Sequence, residues 1–157
     1  MNNYTSQKSI GYDAKLSLLS IGERRIAVPQ KEVVNVLLLQ DAVPAKPPAV
    51  GQFEYHETIF PVYAFTAQFE LLASTTSSQH YAILIVGDSG VRFSLCCDNV
   101  ESLSVTTDMD WDRVPDCMRL TASPLESFLY YDNQLIIMTD AQSLWRWIEH
   151  AGKQHGA

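Results

Sequence analysis

The chain of 157 residues is poor in cysteine, poor in cations, and without a long apolar run. It holds three cysteines, two of them adjacent as Cys96-Cys97, and no Cys-x-x-Cys spacing. An odd count without that spacing fits neither a disulfide framework nor a zinc site, and a reducing cytoplasm is the simple reading. Lysine and arginine number 11 against 18 aspartates and glutamates, giving a formal net charge of −7. Phosphates require a basic face, so nucleic acid is not an expected partner, whereas a protein partner is open. No stretch approaches the roughly 18 apolar residues of a membrane span, so no direct membrane insertion is expected. Met1–Lys15 is polar and offers no signal peptide. His56 and His80 each sit alone, without the spacing that metal ligands share.

What is present is a chain of one-domain length, able to bury about 68–70% of its unfolded surface. Its organising stretch is Tyr81–Leu103. Tyr81–Val86 is short, apolar and rich in β-branched residues, as suits a strand buried on both faces. Gly87-Asp-Ser-Gly90 is hairpin punctuation. In Val91–Cys97, Val91, Phe93, Leu95 and Cys97 share one face, and Arg92, Ser94 and Cys96 the other. This alternation predicts a core Cys97 and an outward Cys96. Asp98-Asn99 bends the chain into a third run, Val100–Val105, which predicts a three-stranded meander that the rest of the chain must cover.

Around it the chain reads in order. Met1–Ala14 is expected to be a flexible leader. Lys15–Ile21 and Arg24–Val28 are strands joined at Gly22-Glu23, a glycine-first loop that suits a type II′ turn. Pro29–Val34 fits one short helical turn, and Val36–Leu39 a strand. Asp41–Val50 carries three prolines, which exclude helix and central strand. Gly51–Tyr55 and Thr58–Tyr63 flank His56-Glu57 as paired strands. Phe65, Phe69 and Leu72 stand at helical spacing, predicting a short helix over Ala64–Leu72. Ala73–Gln79 is a Ser/Thr-rich loop. Thr106–Pro124 reads as a long loop holding a short strand near Met118–Leu120. Leu125–Tyr131 and Gln134–Thr139 flank the turn Asp132-Asn133. Thr139-Asp-Ala-Gln142 matches a capping box, and Ala141, Leu144, Trp145, Ile148 and Ala151 form the buried stripe of a last helix. Gly152 onward is tail. Many short strands with tight turns indicate an all-β barrel class.

From about Lys15 to Ile148 the pattern resembles the CheW-like coupling domain of bacterial chemotaxis signalling. The matching segments are Ile26-Ala-Val28 with its turn, the proline-bearing connector to Gly51, and Ile59-Phe-Pro-Val62. They continue with Phe93–Val100, where Asp98-Asn99-Val100 stands for a Val-Asp-x-Val segment, and with Asp132–Leu144. Order and spacing carry the resemblance, not any one motif. It implies a mainly β fold of two intertwined SH3-like five-stranded β-barrels with short helices and a C-terminal helix. The domain would span residues 15–151, with 1–14 a leader and 152–157 a tail. It implies a non-catalytic, cytoplasmic adaptor without cofactor that couples a receptor or chemoreceptor-like sensor to a histidine kinase.

The chain departs from that pattern at one turn. Where the family carries Asn-x-Arg-Gly, this sequence reads Glu54-Tyr55-His56-Glu57, and Ala64 stands where an aspartate follows the proline strand. A five-donor arginine fork is replaced by one pH-dependent histidine between acids. The resemblance makes Phe53, Glu54, Tyr55, His56, Glu57 and Asp98 partner-binding candidates, and Trp147, off the core stripe of the last helix, joins them as an aromatic suited to an interface. A divergent module that binds another signalling protein outside receptor arrays is the alternative.

A cysteine-dependent hydrolase is a third reading. A reactive thiol needs an electropositive setting, and only Arg92 is near Cys96-Cys97 in sequence, so small core and surface roles account for the pair better. Asp108-x-Asp110-x-Asp112 imitates the start of an EF-hand, but Arg113 stands at the glycine position and Arg119 at the bidentate glutamate position. A solvated acidic loop is the plainer reading, and no metal site is expected. Trp145 fits the core stripe, whereas Trp147 points elsewhere and is either an interface residue or packed on a loop.

Overall fold

The structure, a computed structural model, describes residues 15–105, 110–113 and 127–156. The leader and the strand expected near Met118–Leu120 lie outside the described residues. The strands are β1 (Lys15–Ile21), β2 (Arg24–Pro29), β3 (Val33–Leu38), β4 (Gly51–Tyr55), β5 (Thr58–Tyr63) and β6 (Tyr81–Val86). They continue as β7 (Arg92–Cys97), β8 (Asn99–Ser104), β9 (Asp110–Arg113), β10 (Ser127–Tyr131) and β11 (Gln134–Met138), and the helix α1 covers Ala141–Gly156. Single 3-10 turns occupy Gln30–Glu32 and Leu39–Asp41.

Two curled sheets result, in line with SH3-like barrels. One has the order β8-β1-β2-β11-β10-β9 and the other β3-β6-β7-β5-β4. The first is built from both ends of the chain and the second from its middle, which is the sense in which the two are intertwined. Asp110–Arg113, expected in a loop, adds as an edge strand beside β10, so this sheet has six strands rather than five.

Tyr81–Leu103 corrects the expected meander. β6 and β7 pair as an antiparallel hairpin, but β8 crosses to the first sheet and pairs with β1. The crossing is pinned at Asp98. Its Oδ2 accepts from the Gly22 N–H at 3.0 Å, its Oδ1 accepts from Ser78 Oγ at 3.2 Å, and its own N–H donates to Ser20 O at 2.8 Å. Gly22 has φ +59 while Glu23 is not in the positive-φ region, as a type II′ turn requires.

Each sheet encloses a small core. Leu16, Leu18, Ala27, Leu103, Leu129 and Ile136 fill the first, and Phe53, Phe60, Val62, Ala82, Leu84 and Cys96 the second. A larger cluster joins the two sheets and α1 through Leu19, Ile26, Ile83, Phe93, Leu95 and Leu144. β7 is thus covered on both faces. Cys97 faces the joining core, as expected, but Cys96 is not outward: it is 1% exposed, because its face lines the interior of the second sheet.

Ala64–Leu72 is not a helix. Phe65 and Leu71 form an isolated antiparallel bridge around a turn in which Phe69 takes φ +63. Thr66 Oγ1 accepts from the N–H groups of Gln68 and Glu70, so a local side chain supplies what a helical ladder would otherwise supply.

The helix start is also corrected. Asp140, not Thr139, is the N-cap: its Oδ1 accepts from the Ser143 N–H at 2.8 Å. Thr139 Oγ1 is buried without a partner. A second cap comes from far along the chain, where Glu32 Oε1 accepts from the Ala141 N–H at 3.0 Å. The helix runs through Gly152 to Gly156, where a tail was expected. Its buried stripe is the expected one, with Ala141, Leu144, Ile148 and Ala151 buried and Trp145 stacked on Phe93 at 5.7 Å.

Burial pushes the Glu32 carboxyl above its ordinary value, against the pull of the Ala141 N–H, and the Asp140 and Asp88 carboxylates push the same way. A carboxyl whose pKa rises on folding binds its proton more tightly in the native state. Its charge therefore disfavours the native state progressively as pH climbs upward from its unfolded value near 4.5. Glu32→Gln keeps an oxygen for Ala141 and removes the charge. Urea denaturation across this range is expected to show the variant gaining on wild type as pH rises; a pH-independent difference would contradict it. Glu32→Ala, which strands the Ala141 N–H, is expected to cost about 1–3 kcal/mol.

Candidate functional site: the β4–β5 hairpin and its edge

β4 and β5 form a hairpin whose register runs from Gly51↔Val62 to Tyr55↔Thr58. His56 and Glu57 make the two-residue turn, at φ +50 and φ +63. Positive φ at both positions is the type I′ pattern, which suits the twist of the strands but favours Gly and Asn. Two residues with bulky side chains are held there at a backbone cost.

The hairpin has a buried and an open face. Phe53 is 5% exposed and packs with Phe60 inside the second sheet. Tyr55 is half-buried. Its ring meets the His56 ring edge-on at 4.2 Å and Phe60 at 6.3 Å, and its Oη accepts from Asn35 Nδ2 at 3.3 Å. The His56 ring thus has an aromatic neighbour although the residue is exposed. Glu54, His56 and Glu57 are exposed. Glu54 stands opposite Ile59, which is 47% exposed.

Beside this face lies a groove of about 410 Å³ lined by Leu37, Asp41, Val43, Gln52, Phe53, Glu54 and Ile59. Val43 is 51% exposed. The lining combines the apolar Leu37, Val43, Phe53 and Ile59 with the carboxylates of Asp41 and Glu54, and among the described residues no lysine or arginine joins them. Asp41, Val43 and Ile59 were not among the sequence-derived candidates.

The structure brings Phe53, Glu54, Tyr55, His56 and Glu57 together as one hairpin end. It seats the other two candidates on other elements. Asp98 is half-buried at the β7–β8 crossing, with both carboxylate oxygens occupied. Trp147 is half-buried on α1, its Nε1 donating to Phe69 O at 2.9 Å and its ring 5.8 Å from that of His150. Among the described residues, neither makes a hydrogen bond or ring contact with the hairpin.

The two described cysteines are poor nucleophiles. Burial pushes both thiols up to about 12, with Asp98 adding to the effect on Cys97. Cys97 Sγ donates to Tyr81 O at 3.9 Å, and among the described residues no base forms a hydrogen bond with either thiol. Both thiols, not Cys97 alone, are therefore expected to be protected in the folded protein. In a Cys117→Ser background, a thiol reagent at about pH 8 is expected to modify neither cysteine until denaturant is added. Labelling of folded protein at the rate of a free thiol would contradict this burial. Among the described residues no three His, Cys, Asp or Glu side chains gather as a metal site.

Comparison with known proteins gives one kind of match. No protein-family model matches the chain, and no curated protein matches it. Among solved structures, the chain is similar to the scaffolding protein TtCheW from Thermoanaerobacter tengcongensis. The likeness has a TM-score of 0.63 at 19% identity and covers 81% of this chain and 88% of that one. The fold is CheW-like: mainly β, with two curled sheets and a C-terminal helix. No helix among the described residues is long and apolar enough to cross a membrane.

Proposed function

We propose that this protein is a non-catalytic adaptor in chemotaxis-type signal transduction, coupling a receptor or sensor to a histidine kinase in the cytoplasm through protein–protein contacts. One observation carries the reading. The chain shares its fold, over 81% of its length, with a protein described as a scaffold. The buried, high-pKa thiols of Cys96 and Cys97 agree with it, since neither suits the role of nucleophile in a cysteine hydrolase centred on that pair. The contact surface is the hairpin end Phe53–Glu57, with Asp98 bracing the junction of the sheets and Trp147 bracing α1.

A second reading is favoured by the chemistry of that surface. The exposed Glu54 and Glu57 replace the basic turn of the resembling family, so an acidic partner patch would meet like charges. A divergent module serving another signalling protein, with a basic or neutral patch, fits this turn better. Affinity capture with the tagged protein in its native cells, read by mass spectrometry, separates the two. A histidine kinase and a chemoreceptor-like sensor recovered together support the adaptor in receptor arrays. A different signalling protein supports the second reading, and recovery of neither contradicts both.

A further inference from the structure

The edge of β4 is closed at one residue and open at the next. The two-residue turn makes Tyr55↔Thr58 a hydrogen-bonded pair. Alternation then makes Phe53↔Phe60 and Gly51↔Val62 bonded pairs too, so Gln52 and Glu54 aim their backbone N–H and C=O groups away from β5. Gln52 is satisfied there by Val43: Val43 N donates to Gln52 O and Gln52 N to Val43 O, both at 2.9 Å. Continuing that antiparallel register would bring Asp41 opposite Glu54. The chain does not continue it, because Leu39–Asp41 is wound into a 3-10 turn closed by the Ala42 N–H on Leu39 O. The outward backbone groups of Glu54 meet no hydrogen bond among the described residues.

We infer that this open edge takes an extended segment of the partner, alternating apolar and basic residues, by strand addition at Glu54. The inference rests on the reading of the hairpin end as the recognition surface and specifies how that surface is used. Main-chain bonds to an exposed edge supply affinity, and side-chain pockets supply selection. The groove beside the slot offers apolar contact at Val43 and Ile59, while Asp41 and Glu54 supply negative charge. Glu57 adds another acid at the turn, so charge complementarity selects lysine or arginine in the incoming strand. A second copy of this chain fits less well. A two-fold pairing of β4 edges would set the same acidic residues against themselves, in a chain of net charge −7. A charged residue on an edge strand also guards against aggregation. Glu54 performs that function against its own kind while admitting a basic strand.

The probe is a blocked nine-residue peptide alternating lysine and valine. Its comparators are an acidic twin of glutamate and valine, and two versions of the basic peptide with every second amide N-methylated, one in each frame. Titration followed by tryptophan fluorescence, and amide exchange at Glu54, give the readouts. The basic peptide should bind saturably and the acidic twin should not. N-methylation in the frame facing β4 should weaken binding about tenfold or more, and in the other frame should leave it unchanged. The Glu54 amide, fast-exchanging alone, should become protected on binding.

Equal binding of the acidic twin, equal effects of the two methylation frames, or an unprotected Glu54 amide overturns strand addition. Protection that rises with protein concentration alone assigns the edge to a second copy and overturns the basic partner. Failure here is distinguishable from failure of the hairpin reading. If the captured partner loses affinity for the variant His56→Arg, Glu57→Gly while the peptide never protects Glu54, the recognition surface stands and its strand-addition mode falls.

Discussion

Replacing Leu95 by Ala is expected to lower the unfolding free energy by about 2–5 kcal/mol. Leu95 is 1% exposed at the centre of β7. It stands opposite Ile83 on β6 and Tyr63 on β5, so it is held between neighbours on both sides. It belongs to the cluster that joins the two sheets and α1. The cavity left by truncation has little room to collapse, because strands on both sides fix its walls, and the cost should fall in the upper half of the range. Urea denaturation should show a lower midpoint with an unchanged slope. Tyr130→Ala, at a 60% exposed position, is the control and should change stability by no more than about 0.5 kcal/mol. A Leu95→Ala cost below about 1 kcal/mol would mean that the joining core is not packed as described.

The double variant His56→Arg, Glu57→Gly is expected to move stability and partner affinity in opposite directions. Glu57 sits at φ +63, where a side chain strains the backbone and glycine does not. Removing that strain should stabilise the fold by about 1 kcal/mol, partly offset by loss of the edge-on contact between the Tyr55 and His56 rings. The same change converts an acidic turn into a basic one. A partner selected by Glu54 and Glu57 should then bind about tenfold more weakly or worse, since like charges oppose each other across the interface. A variant that is more stable yet binds less cannot be explained by unfolding. Denaturation midpoints check the first half of the prediction, and a lower midpoint for the double variant would contradict it.

Much of the fold was legible because it is written locally. Period-two alternation and turn residues located β1, β2, β4, β5, β6, β7, β10 and β11 within a residue or two. Gly22 at φ +59 and Asp132-Asn133 at φ +54 and φ +59 show why those turns could be read. The illegible features are non-local. The text of β8 does not say that its partner is β1, a choice fixed by the hydrogen bonds that Asp98 makes to residues distant in sequence. Helical spacing in Phe65, Phe69 and Leu72 lost to the Thr66 side chain and to the positive φ of Phe69. Cys96 looked outward because alternation gives two faces without telling that both are covered. The candidate site divides the same way. Phe53–Glu57 is one continuous segment and was readable through the resemblance, whereas Asp41 and Val43 reach the groove only because the proline-bearing connector folds back along β4.

Titration calorimetry of the captured partner tests recognition by the acidic hairpin end. Wild type and the double variant His56→Arg, Glu57→Gly would be titrated at low and at high salt. The variant is expected to bind more weakly at both salts, with a larger gap at low salt, where screening is least. Equal affinity of the two proteins at both salts would show that the hairpin end is not the surface by which this protein recognises its partner.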